Sequence, residues 1–219
     1  MKKAAILITS ILLIACNQAV RCQKTINEVE FEKTHESIEM ERVFFISMDL
    51  DNDLIYDTIF FDLKESLIVA KLSSQDFEPI KSQPIKANHI DIFATEAGFV
   101  FWESFRRGSV SSYFQYNSET NRIQLVRMSQ EYFGNVVQDW SGESSVNLLT
   151  GEYTGNWNYF NHQQDSLISL PTIRTQMSFR TIYLEDFCVD TSWEFNQKCN
   201  RLHNAYRNKM LAELGRNPF

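Results

Sequence analysis

The sequence predicts a mainly β fold: an antiparallel sandwich, or a partial-propeller-like twisted sheet, with one C-terminal α-helix. Three observations predict it. From residue 43 onward, short runs rich in β-branched and aromatic residues alternate with polar turns, which is how antiparallel strands are written. Seventeen Phe, eight Tyr and four Trp in 219 residues supply the bulky side chains that pleated, half-buried surfaces accommodate. A sustained helical stripe occurs near the C-terminus, in residues 188–219.

The chain opens with Met1-Lys2-Lys3, followed by an uncharged run from Ala4 to Ala15. A basic start and an apolar run about half the ~20 residues needed to span a bilayer mark residues 1–15 as a secretory signal, not a membrane helix. Leu13-Ile14-Ala15-Cys16 resembles the lipobox of bacterial lipoproteins. The resemblance implies cleavage before Cys16 and lipidation of its thiol, with two or three acyl chains holding the protein to the membrane. In the Gram-negative sorting rule the same resemblance brings in, Asn17 favours the outer membrane on its periplasmic side over the inner membrane.

Cleavage removes Lys2 and Lys3 but no acid, leaving 19 basic against 28 acidic residues and a net charge of −9. That balance excludes a nucleic-acid-binding function, which needs a basic surplus on one face. Residues 16–41 are polar and carry six glutamates, and read as the tether. A β domain is expected over residues 42–187. Its strands fall in three groups: 43–48, 58–63 and 66–72; then 89–93, 99–105, 110–116 and 122–128; then 146–149, 153–159, 167–170 and 176–184. The middle group suggests one four-stranded meander. In residues 153–160 aromatics alternate with small polar side chains, a face that is either the core of the sheet or a platform for a sugar ring or protein. Phe44, Phe45, Phe60 and Phe61 are expected to pack.

Residues 188–219 are expected to form the helix and its end. Thr191 and Glu194 fit a capping box, and Phe195, Cys199, Leu202, Tyr206 and Met210 then recur on one face, with Gly215 and Pro218 as stop signals. Cys22, Cys188 and Cys199 remain once Cys16 is lipidated. A Cys188–Cys199 disulfide is the preferred pairing, on the expectation that the residues before the helix fold back along its first turns. Three reduced thiols are the alternative.

The residues 49–57 form an acidic loop, with Asp49, Asp51, Asp53 and Asp57 at positions one, three, five and nine and the Ile55 carbonyl at seven. Alternate side chains of a tight loop converge on a point, and calcium takes six to eight oxygens in such an arrangement. The loop resembles the DxDxDGxxD calcium loops of FG-GAP and VCBS repeats in integrin-alpha-like proteins, which also lie between strands. Leu54 stands where those loops carry glycine, a position that often needs positive φ. A hairpin turn held by Asx-type hydrogen bonds is the alternative.

No catalytic signature accompanies these features. His35, His89, His162 and His203 are dispersed without HExxH, and Gly142-Glu143-Ser144-Ser145-Val146 lacks the second glycine of a nucleophile elbow. Glu103 beside Trp102, and Glu185-Asp186, are the candidates for a carboxylate pair. The expectation is a lipid-anchored, non-enzymatic envelope protein with a calcium-stabilised loop, binding an envelope or secreted protein and suited to an immunity or inhibitor role against a periplasmic toxin. The alternative is an envelope glycan or lipid hydrolase, which a cleft holding two convergent carboxylates would favour.

Overall fold

A computed structural model describes residues 45–86, 89–162 and 164–213. The signal segment, the tether, Cys16, Cys22, Phe44 and the helix stop signals lie outside these residues.

The β-rich texture produces two antiparallel sheets. The smaller has the order β1 (Phe45–Met48), β2 (Asp57–Asp62), β3 (Leu67–Lys71), β4 (Pro79–Lys81). The larger is a meander of β5 (His89–Thr95), β6 (Gly98–Phe105), β7 (Gly108–Asn117), β8 (Arg122–Tyr132), β9 (Gly142–Asn147), β10 (Glu152–Asn161) and β11 (Ser166–Ser169). β11 pairs with the C-terminal half of β10 and β12 (Ile173–Gln176) with its N-terminal half. The expected four-strand meander thus runs on without a break, because β8 pairs with β9 as it does with β7.

Alternation assigns one face of each strand to the core. In β2, Ile59 and Phe61 are buried, and in β6 Phe99 and Phe101. The sheets meet through the Phe61 and Phe101 rings, 5.8 Å apart, and Phe187 sets its edge against Phe101 and Phe114. The aromatic run of β10 belongs to this core: Tyr153, Trp157 and Tyr159 are almost fully buried, and Thr154, Asn156 and Asn158 alternate with them. Phe45 departs from its expected packing role. β1 is an edge strand, and Phe45 is 60% exposed on its outer side. β12 is short, and residues 177–183 are not strand as expected: Met177, Ile182 and Leu184 bury as an irregular segment ending in a 3-10 turn.

The helix α1 (Val189–Glu213) docks on the same core. Phe195, Cys199 and His203, four residues apart, are its deepest side chains, while Leu202, Tyr206 and Met210 flank them half-buried. The helix begins before the expected cap. Thr191 lies in its first turn, and Glu194 pairs with Lys198 at 2.6 Å instead of reaching back. This early start also rules out the Cys188–Cys199 bridge, and both thiols are free. Cys188 immediately precedes the helix, and the ten helical steps from Val189 to Cys199 alone span about 15 Å, far beyond disulfide reach. Cys199 instead meets the Ser144 hydroxyl at 3.4 Å, and burial pushes its thiol pKa up to about 11.

Candidate functional site

The acidic loop joins β1 to β2 as expected, but its carboxylates divide into different tasks. Asp57 is fully buried and closes the loop, accepting from the Leu50 N–H at 2.7 Å and the Ser73 N–H at 2.8 Å. Asp49 accepts from the backbone of Asp53 and Leu54. Asp53 accepts from the Ile55 N–H at 2.8 Å and the Ser73 hydroxyl at 2.6 Å. These are the Asx-type bonds of a self-supporting turn. One oxygen each of Asp49, Asp51 and Asp57 nevertheless lies within 4.8 Å of the others, and Asp51 Oδ1 is buried without a hydrogen-bond partner. The donor set that fits a cation is therefore these three carboxylates. Asp53 is not among them, and Ile55 enters the hydrogen bonding through its N–H. Asn52 and Leu54 adopt φ of 64° and 72°, so the chain does need left-handed backbone where Leu54 replaces glycine.

The two faces of the large sheet have opposite characters. On the outer face, register aligns Trp102, Ser111, Ser129, Ser145 and Thr154 in a row across five strands. The short hydroxyl side chains make the floor of a trough of about 420 Å³. In the neighbouring row Glu131 stands directly opposite Glu143, with the Asn156 amide donating to Glu143 at 3.3 Å. Among the described residues neither glutamate forms an ion pair, and opposed like charges on adjacent strands repel.

On the inner face, Glu103 occupies a row with Ile90 and Val110, where alternation calls for an apolar side chain. It lines a cavity of about 580 Å³ between the sheet and α1, together with Trp157, Trp140 and Asp139. Burial pushes the Glu103 carboxyl pKa up, and the neighbouring Ser192 offsets only part of this. Behind the cavity the His203 ring packs at a tilt against Trp140 with ring centroids 4.3 Å apart, and burial lowers its pKa.

Of the other candidates, Glu185 and Asp186 face Arg122, at 3.2 and 3.7 Å, and serve as its ion-pair partners. Ser144 lies mid-strand in β9 against Cys199. The sheet faces escaped the sequence reading because each is assembled by register from strands up to fifty residues apart. Glu103 alone left a signal, as the acid that follows Phe99 and Phe101 at inward positions. Comparison with protein families, curated proteins and solved structures finds no match.

Proposed function

We propose that the chain is a lipid-anchored envelope protein without catalytic activity, which docks an envelope or secreted protein on the outer face of the large sheet. The observation that carries this reading is the row Trp102–Ser111–Ser129–Ser145–Thr154. Short hydroxyl side chains leave a concave floor that a partner's side chains can enter, and each hydroxyl that loses water there calls for a hydrogen bond from the occupant. Trp102 at one end and Arg127 on the wall are residue types that anchor protein interfaces. The opposed Glu131 and Glu143 favour a partner that presents a basic side chain, whose charge would relieve their repulsion. An immunity or inhibitor protein, which neutralises a secreted partner by charge and shape, fits this surface.

The test is affinity capture from envelope extract by the lipid-free protein and by a Ser129→Tyr/Ser145→Tyr variant that fills the trough. A stoichiometric partner held by the first and lost by the second supports the reading. A partner held equally by both removes it. Anchoring is tested separately: Cys16→Ser is expected to release the protein from the membrane fraction.

Calcium belongs to the same proposal as a support of the loop. Asp49, Asp51 and Asp57 would hold it, with the orphaned Asp51 Oδ1 as the donor that gains most. Calorimetric binding that disappears in Asp51→Ala is the expected result. The hydrolase reading keeps one supporting observation, that Glu103 and Asp139 line one cavity.

A further inference from the structure

The cavity beneath α1 lies on the face of the large sheet opposite the trough, so its occupant is independent of the docking surface. Its floor comes from inner-face side chains of Glu103, Gln130 and Trp157, and its roof from Ser192, Asn196 and Asn200 on α1. An amide chain ties roof to floor: Asn200 donates to Asn196 at 2.9 Å and Asn196 to Gln130 at 3.4 Å. A volume of about 580 Å³ lies within the usual range for small-molecule sites.

The charge of the walls is one-sided. Glu103 and Asp139 both contribute, and no Lys, Arg or His is among the described lining residues. Glu103 has no ion-pair partner among the described residues, although it is largely withdrawn from water. A carboxyl so placed has room for a counter-ion that the described residues do not supply. The remaining lining sets aromatic rings beside these amides and Ser192: Trp140, the nearly fully buried Trp157, and Trp193 at the rim, 63% exposed. Aromatic faces attract organic cations through the ring quadrupole, most strongly where water is excluded. Calcium would require six to eight converging oxygens, whereas the two carboxyls here, Glu103 and Asp139, share the lining with three tryptophans. An anion would be repelled.

We propose that this cavity binds an organic cation with an apolar body, of the alkylammonium or quaternary-ammonium class. Its charged head lies against Glu103 and its body packs on the tryptophans. The contribution of the protein is a low-dielectric carboxylate for the head and rigid rings for the rest. Trp157 is held in place by its indole N–H, which donates to the Tyr153 hydroxyl at 3.1 Å.

The test titrates hexyltrimethylammonium, hexan-1-ol and cellobiose separately into the purified protein, followed by calorimetry and tryptophan fluorescence. The ammonium compound is expected to bind one to one and at least about tenfold more tightly than the alcohol. Glu103→Gln should abolish that advantage while leaving alcohol binding in place, and Trp193→Ala should weaken both aliphatic ligands. Thermal unfolding checks that Glu103→Gln folds, and Glu103→Met, which removes the same charge with an apolar side chain of similar length, supplies the same contrast if it does not. Equal affinity for ammonium and alcohol, an advantage that survives Glu103→Gln, no binding of any probe, or tighter binding of cellobiose would each overturn the proposal. The last would point instead to a glycan site.

Discussion

Asp57 shows how one side chain can hold a loop whatever else the loop does. Its two oxygens accept backbone N–H groups from Leu50 and Ser73 in a fully buried setting. Asp57→Ala strands both donors and is expected to cost about 3 kcal/mol in urea unfolding, since hydrogen bonds to a charged group contribute ~1.5–3 kcal/mol each. Leu54 carries the opposite sign. It is 93% exposed at φ 72°, so Leu54→Gly removes a left-handed strain and is expected to gain about 0.5–1 kcal/mol despite the greater freedom of glycine in the unfolded chain. Glu103 couples stability to pH. Because burial raises its folded pKa, the folded protein holds this proton more tightly than the unfolded chain. The resulting stability is complete below about pH 4.5 and is lost as pH rises through the higher folded value. Glu103→Gln should flatten that slope and leave the protein more stable than its parent at neutral pH, as unfolding midpoints from about pH 4 to 8 would report.

At the scale of elements, most strands were legible because alternation of apolar and polar residues is a local signal. β6, β7 and β10 start and end within two residues of their expected bounds. β4 was missed because three residues beginning with Pro79 carry no period. β12 was placed three residues late because Met177 and Ile182 bury without strand pairing, so apolarity and strand came apart. The helix was legible in its stripe but not in its start, and the disulfide expectation failed with that boundary. Cys188 and Cys199, the two free thiols among the described residues, should differ. A thiol reagent at neutral pH is expected to modify half-buried Cys188 in the native protein and Cys199 only after unfolding, since burial both shields the latter and holds its pKa near 11. Helix docking rests on Phe195, fully buried, and Phe195→Ala is expected to cost about 3–5 kcal/mol.

At the scale of the molecule, the large sheet separates two chemistries by the side-chain period of two. One face is a hydroxyl-floored trough with an unrelieved acidic pair; the other is an aromatic, acid-bearing cavity under the helix. The sequence offered Glu103 and the aromatic run 153–160 singly, but not their assembly, since register across β6–β10 sets which residues are neighbours. The net charge of −7 said only that the protein is acidic; the strand register places two of those acids, Glu131 and Glu143, opposite one another. On the proposed reading, a basic side chain of the partner would sit against this pair. The most direct test is the affinity of the captured partner for the Glu131→Gln/Glu143→Gln variant. The expected result is a loss of about tenfold or more in a protein at least as stable as its parent, the removed repulsion being ~0.2–1 kcal/mol. An unchanged affinity would contradict it.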